Sequence, residues 1–459
     1  MTILLLLLFG FNFTAAQKQL PPEGGAPKDF SLPKKEIIKL KNGIEAILVP
    51  YGTMPKVAIS VIVRTGNINE KEDQIWLADL TGDLMKEGTT TRTSEKISEE
   101  ASSMGGSVFV SVGDDQTTIG GDVLSEFGPA MVSLLADIAR NPVFPESDLE
   151  RLKNNLVRQL TVAKSSPQQL TLEQFRKAVY GDHPYGKVFP TEEMVKKYTL
   201  KDVQNFYKNN FGAARTRIYV AGKFDVKEME KAIRASFEGW AKGAAPMVNI
   251  PKTKAKKSFH LVERPGAPQS TIYLGLPTIN PTNKEYVKLV VTNTLLGGYF
   301  SSRVTANIRE QKGYTYSPSS QISSRYHDTY YVQTADVTTD VTGAALKEVL
   351  YEINRLQDEA PPAEELKAVQ NYMAGTFVLQ NSSRQGIIGQ LAFTRLQGIG
   401  DEYLTNFVKN VHAITPADVQ RIAKTHLRDE DMTLVITGDK TKIEKQIEEF
   451  AKTTPVEKK

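Results

Sequence analysis

The chain has 459 residues, with 57 Lys and Arg against 53 Asp and Glu, and no cysteine. That length suggests two to three domains at ~150 residues each, and 40% apolar residues with 8% aromatics exclude the disordered and fibrous classes. A net charge of +4, diluted along the chain apart from the run Lys252, Lys254, Lys256 and Lys257, speaks against nucleic acid as a partner. Without cysteine there are no disulfides, thiolate metal sites, cysteine nucleophiles or lipoprotein-type acylation.

At the N-terminus, Ile3 to Phe13 is an almost unbroken apolar run, followed by Thr14-Ala15-Ala16 and polar Gln17. This reads as a signal peptide over 1–16, cleaved after Ala16, although no Lys or Arg precedes the run. The run is shorter than the ~20 residues a bilayer span needs. No later stretch reaches that length without charges, so an exported chain with no integral membrane segment is expected, periplasmic or extracellular. Residues 17–33, rich in Pro, Gly and charge, predict an extended arm.

Next, Lys39 to Val49 reads as strand, Asn42-Gly43 turn and strand, and Val57 to Thr65 as a further strand. Helical periodicity runs from about Trp76 to Lys86 and from Ser94 to Met104. Alternation returns from Ser107 to Val123, around Gly113-Asp114-Asp115. Thr199 to Lys208 resembles Thr415 to Lys424 at an offset of 216, and Ile218 to Gly222 meets Leu434 to Gly438 at the same offset. Each copy predicts a capped helix, Thr199 or Thr415 at the N-cap and Asp202 or Asp418 three residues on, leading into a buried strand. Residues 241–257 (AKGAAPMVNIPKTKAKK) have no helical period and read as a linker. The expected fold is α+β: two homologous domains, 34–240 and 258–455, each a mainly antiparallel sheet with helices packed on one face.

Few residues offer chemistry. The five histidines, His183, His260, His327, His412 and His426, include no i, i+4 pair of the kind a zinc helix presents. His183 sits in a turn, Asp182-His183-Pro184-Tyr185-Gly186, and reads as a turn or packing residue. His426 ends a helix, where a cation suits the dipole. There is no Gly-x-Ser-x-Gly elbow and no phosphate-binding loop. Gly105-Gly106 and Gly120-Gly121 read as turns or bulges beside strands.

The ordered series of the Asn42-Gly43 hairpin, Leu77-Ala78, Gly88-Thr89, Gly105-Gly106, His183-Pro184-Tyr185-Gly186, the Thr199 helix and Gly222 resembles the pitrilysin/insulinase family. Its mitochondrial processing peptidases and their bacterial relatives are the nearest members. The segments Leu296 to Arg303 and Ile308 to Ser317 resemble the family's C-terminal substrate-side segment. Active members carry His-x-x-Glu-His on a helix just before a Gly-Thr. The resemblance places those positions at Asp79, Gly82 and Asp83, and the third zinc ligand, a glutamate, at Gln159. Both ligand histidines, the general base and the distal ligand are therefore absent together. Asp79 and Asp83, at i, i+4, read either as a polar helix face or as a weak hard-cation pair, and no metal is expected in this chain.

Arg309 and Tyr316 match the arginine and tyrosine that the family's C-terminal domain brings over the zinc. By that resemblance the phenol donates to the oxyanion of peptide hydrolysis and the guanidinium holds substrate carbonyls. Read without the family, Arg309 pairs with Glu310 and Tyr316 is a half-buried strand aromatic. The expected function is the non-zinc-binding subunit of an exported heterodimeric zinc peptidase. Arg309 and Tyr316 then serve in trans, the zinc sits in a homologous partner, and the substrate is a peptide or unfolded polypeptide. The alternative is a catalytically dead binding or scaffold protein with the same fold.

Overall fold

The computed structural model describes residues 30–254, 256–448 and 450; the expected signal peptide, 1–16, and most of the expected arm, 17–33, lie outside them. The first half runs β1 (Glu36–Lys39), β2 (Glu45–Pro50), β3 (Lys56–Val63), α1 (Leu77–Met85), α2 (Ser94–Ser103), β4 (Ser107–Val112), β5 (Thr117–Leu124), α3 (Gly128–Arg140), α4 (Glu146–Ser165), α5 (Pro167–Tyr180), α6 (Glu192–Lys197), α7 (Leu200–Asn210), β6 (Thr216–Gly222) and α8 (Val226–Phe237). The second runs β7 (Ser258–Glu263), β8 (Gln269–Pro277), α9 (Tyr286–Asn293), β9 (Ser319–Arg325), β10 (Asp328–Thr338), α10 (Thr342–Asp358), α11 (Ala363–Gln380), α12 (Arg384–Gln397), short α13 (Glu402–Thr405) and α14 (Phe407–His412), α15 (Pro416–His426) and β11 (Thr433–Gly438), before a short last helix.

The sheets are ordered β1-β2-β6-β3-β5-β4 and β7-β11-β8-β10-β9. Apart from the extra β1 they share one topology. β6 runs parallel to β2 and antiparallel to β3, as β11 does to β7 and β8. The predicted repeat is therefore physical. Thr199 and Thr415 each accept from the backbone N–H three residues on, and Asp202 and Asp418 each accept from the cap's own N–H. Two of the free N–H groups at each helix start are satisfied in this way.

α3 packs on β3 and β5, with α8 against α3, on one face of the first sheet. The other face is covered by α12, a helix of the second half, against β3 and β6. Reciprocally, α5 of the first half covers β7, β8 and β11 of the second sheet. The two lent helices are fastened alike. Gln168 in the first turn of α5 donates to Asp336 on β10 at 2.9 Å, and Arg384 opening α12 donates to Asp122 on β5 at 3.0 Å. Gly275 on β8 leaves room for α5 and β10; a Cβ there would lie 2.9 Å from the Phe175 ring and 2.1 Å from the Tyr331 carbonyl oxygen. Exchange of one helix buries both faces of each sheet, so the apolar core of the second half reaches Ile47, Ala58 and Tyr219 of the first.

The halves also meet tip to tip. The β4–β5 turn carries Asp114 and Asp115, and the equivalent β9–β10 turn carries Arg325 and Tyr326. Arg325 Nε donates to Asp114 Oδ2 at 2.7 Å, Arg176 Nη2 donates to Asp114 Oδ1 at 3.0 Å, and Asp115 accepts from the Tyr326 N–H and, at 2.5 Å, from the Tyr185 hydroxyl. Tyr180 donates to Asp328 at 2.5 Å, and Arg325 lies over the rings of Tyr180, Tyr185 and Tyr330. This buried latch explains the His183-Pro184-Tyr185-Gly186 motif. His183 accepts from the Tyr185 N–H and shapes a turn that inserts Tyr185 between the halves.

Candidate functional site

α1 begins abruptly. Trp76 precedes it with φ 67°, a left-handed conformation that costs energy for a bulky residue. The start is held by Glu70, whose carboxyl accepts from the Ala78 N–H at 2.8 Å and from Asn67 Nδ2 at 3.2 Å. Asn67 also donates to Asp79 at 2.8 Å. Burial pushes the Glu70 carboxyl up to about 8, against the hydrogen bond from Ala78, and pushes Asp79 up to about 6. Glu70 is the residue that sequence reasoning missed here: eight positions before the N–H it caps, it falls outside any local capping pattern.

A pH dependence follows. Because the folded pKa of Glu70 lies above its ordinary 4.5, its stabilising contribution is complete below that value and is lost as pH rises through about 8. Glu70→Gln keeps an oxygen acceptor for Ala78 and removes the titration. The fall in stability between pH 5 and 8, on the order of a few kcal/mol at most, is expected to flatten in the variant, as read by urea denaturation at several pH values.

The positions matching the zinc motif lie on α1. Asp79 is occupied by Asn67, and Asp83 pairs with Lys86 at 3.2 Å. Gly82 faces β4, where a Cβ would sit 2.8 Å from Val112 Cγ2 and 3.3 Å from Val110 Cγ1. A glutamate there requires a stiff β-branched neighbour to move. Gln159 is exposed on α4, which packs against α1. The donor set is two carboxylates already engaged, a glycine and a neutral amide, which does not fit zinc's preference for imidazole, thiolate and carboxylate in a tetrahedron. Among the described residues no group of three or more His, Asp or Glu is gathered to hold a metal ion.

Arg309 and Tyr316 are brought together in the second half. Arg309 lies on a π-helical turn, Thr305–Gln311, after a first π-helical segment, Thr294–Gly298. Such widened turns recur at functional sites. Gly313, at φ 65°, reverses the chain, and Thr315 anchors it by donating to the Asp336 carbonyl at 2.7 Å. Tyr316 thus returns over Arg309, whose guanidinium lies 4.9 Å from the Tyr316 ring and 4.4 Å from the Phe300 ring. Arg309 also pairs with Glu310 at 3.2 Å. Tyr316 is 80% exposed and precedes β9, so it is not a half-buried strand aromatic, and its hydroxyl has no partner among the described residues. The hydrogen bonds of Asp79 and Asp83, to Asn67 and Lys86, do not reach this pair.

His183 and His426 fill structural roles. Burial lowers the pKa of both, His183 between Asn249 and Tyr185, and His426 at the end of α15 beside Glu285.

Residues 47–189 match the insulinase (peptidase family M16) profile, and residues 197–373 match the peptidase M16 inactive domain. The chain belongs to the M16, or insulinase, family of peptidases. An uncharacterized zinc protease of Bacillus subtilis is 25% identical over 404 residues, covering 86% of this chain and 96% of that protein. A probable mitochondrial-processing peptidase subunit beta of Arabidopsis thaliana is 21% identical over 89% of this chain and 79% of its own length. In fold, the M16 inactive domain of Pseudomonas fluorescens superposes with a TM-score of 0.81 at 21% identity, covering 88% of this chain and 98% of that one. The Escherichia coli periplasmic protease PqqL gives 0.76 at 15% identity, over 94% of this chain and 49% of its own.

Proposed function

We propose that this chain is the non-zinc-binding subunit of an exported heterodimeric zinc metallopeptidase, supplying substrate binding and oxyanion stabilisation to a homologous subunit that carries His-x-x-Glu-His. The observation that carries this reading is the asymmetry between the two halves. The α1 positions hold engaged carboxylates and a glycine packed on Val112, whereas Arg309, half-buried, stands beside an exposed Tyr316 with a free phenol hydroxyl. A tyrosine 80% exposed contributes little to packing, so a purely structural reason for it is weak. A phenol that donates to a developing oxyanion acts without a metal on its own chain.

Export, to the periplasm or the medium, rests on the apolar run before Gln17. Among the described residues no helix is long and apolar enough to cross a membrane. The alternative, a peptidase-fold scaffold without catalytic part, is favoured by the Arg309–Glu310 pair, which satisfies the guanidinium locally. Zinc and turnover test the proposal. After dialysis at neutral pH the mature chain alone is expected to retain no stoichiometric zinc and to hydrolyse no peptide, checked by elemental analysis and a peptide assay. One tightly held zinc per chain would remove the basis of the proposal.

A further inference from the structure

A cleft of about 840 Å³ opens between the start of α1 and the C-terminal half of α4, a volume within the range of small-ligand sites. One side is aromatic, Trp76 and Phe189, and the other is α4, which contributes Val162 and Ala163. Trp76 is the strained residue before α1, and two contacts fix its ring. Its Nε1 donates to the Val188 carbonyl at 3.1 Å, and the ring meets Phe189 edge to face at 5.9 Å. A bulky residue held in the left-handed region to present a ring to a cleft points to recognition more than to folding. Val162, at the mouth, is 69% exposed.

The α4 side carries the single charge of the lining, Arg158, beside Gln159 and one helical turn before Val162. The ion pairs of α4 engage Arg151 and Lys153, while Arg158 donates only to the neutral Asn155. An aromatic wall facing an arginine without a carboxylate partner is complementary to an apolar side chain next to an anion.

We propose that this cleft is an exosite for the carboxyl-terminal residue of a peptide whose last side chain is large and apolar. The side chain lies against Trp76, Phe189 and Val162, and the terminal carboxylate pairs with Arg158. This rests on the reading of the chain as peptide-binding, and not on a partner or on zinc. A terminal residue fits better than an internal Asp or Glu because its carboxylate and its apolar side chain leave the same Cα. The glutamine at 159 belongs to the same logic. Where the family's active members are expected to carry a glutamate, a like charge would oppose the incoming carboxylate, and a neutral amide does not.

The chain provides its own reporter, since it has two tryptophans and the other, Trp240, is buried. The full mature chain is titrated with acetyl-Gly-Gly-Phe as the free acid, with its C-terminal amide, and with acetyl-Gly-Glu-Phe-Gly-amide, and Trp76 emission and calorimetry are read. The acid is expected to saturate, with the amide and the internal-Glu peptide weaker by up to about fivefold, as loss of an exposed charge pair implies. Arg158→Gln is expected to erase the difference between acid and amide, and Val162→Glu to weaken the acid at least as much. Both positions are exposed, so neither change disturbs the core. No saturable binding, equal binding of acid and amide, or tight binding of the internal-Glu peptide would overturn the proposal. These titrations need neither partner, zinc nor turnover, so their failure leaves the partner-subunit reading intact, and the converse holds.

Discussion

Tyr316→Phe is expected to lower kcat of the proposed complex with a zinc-bearing subunit by ~10²-fold or more, the loss typical of one oxyanion donor, with KM little changed. The substitution keeps the ring and its stack on Arg309 and removes only the hydroxyl. Because Tyr316 is 80% exposed, stability should not move, and a rate loss cannot be assigned to unfolding. Arg309→Ala is expected to raise KM as well. It removes a cation held between the Phe300 and Tyr316 rings, and with it both the orientation of the phenol and a contact to substrate carbonyls. Initial rates at matched assembly measure both effects. Turnover of Tyr316→Phe equal to wild type would make the tyrosine a bystander and favour the scaffold.

Arg325→Met should cost roughly 1–3 kcal/mol of unfolding free energy, the range for losing a charge-assisted hydrogen bond whose carboxylate keeps a second cation. The guanidinium ties Asp114 across the two halves and lies over three tyrosine rings, so its removal leaves Asp114 with Arg176 alone. Burial would raise the Asp114 carboxyl, but Arg325 and Arg176 outweigh it and hold the group below the ordinary carboxylate value. With a depressed folded pKa, its contribution is present above the unfolded value and is lost as pH falls through the folded one. The Arg325–Asp114 pair should therefore weaken in acid, whereas Asp115 and Asp328, whose carboxyls burial raises, contribute with the opposite sign. Urea denaturation of Arg325→Met, Asp114→Asn and the double variant yields the coupling between the two residues directly. Simple additivity of the two losses would mean that the latch is not an energetic unit.

The internal repeat was legible because it rests on local rules. A Thr cap with Asp three residues on, followed by a buried apolar strand, carries its own signature in both copies, and the chain places both in the same sheet position. The exchange of α5 and α12 was not legible. A helix periodicity says which stripe is apolar, but not which sheet will cover it. The latch was hidden for a related reason. Asp114-Asp115 reads as an ordinary hairpin turn until Arg325, 211 residues away, is brought against it. At the α1 site, Asp79, Gly82 and Asp83 could be placed from the neighbouring Leu77-Ala78 and Gly88-Thr89. Glu70 and Trp76 could not, because what marks them is a long-range cap and a backbone angle. Arg309 and Tyr316 were legible as a pair only through the family pattern; their contact depends on Gly313 turning the chain back.

The central claim is that this chain lends groups to a zinc site it does not itself form. Recovery of the tagged mature chain from its native host, with mass identification of what accompanies it and metal analysis of the assembly, tests that most directly. The account predicts a homologous chain bearing His-x-x-Glu-His in equal amount and one zinc per pair, lost when that partner is removed. Recovery of the chain alone or as a homodimer, or zinc that stays with this chain after separation, would contradict it.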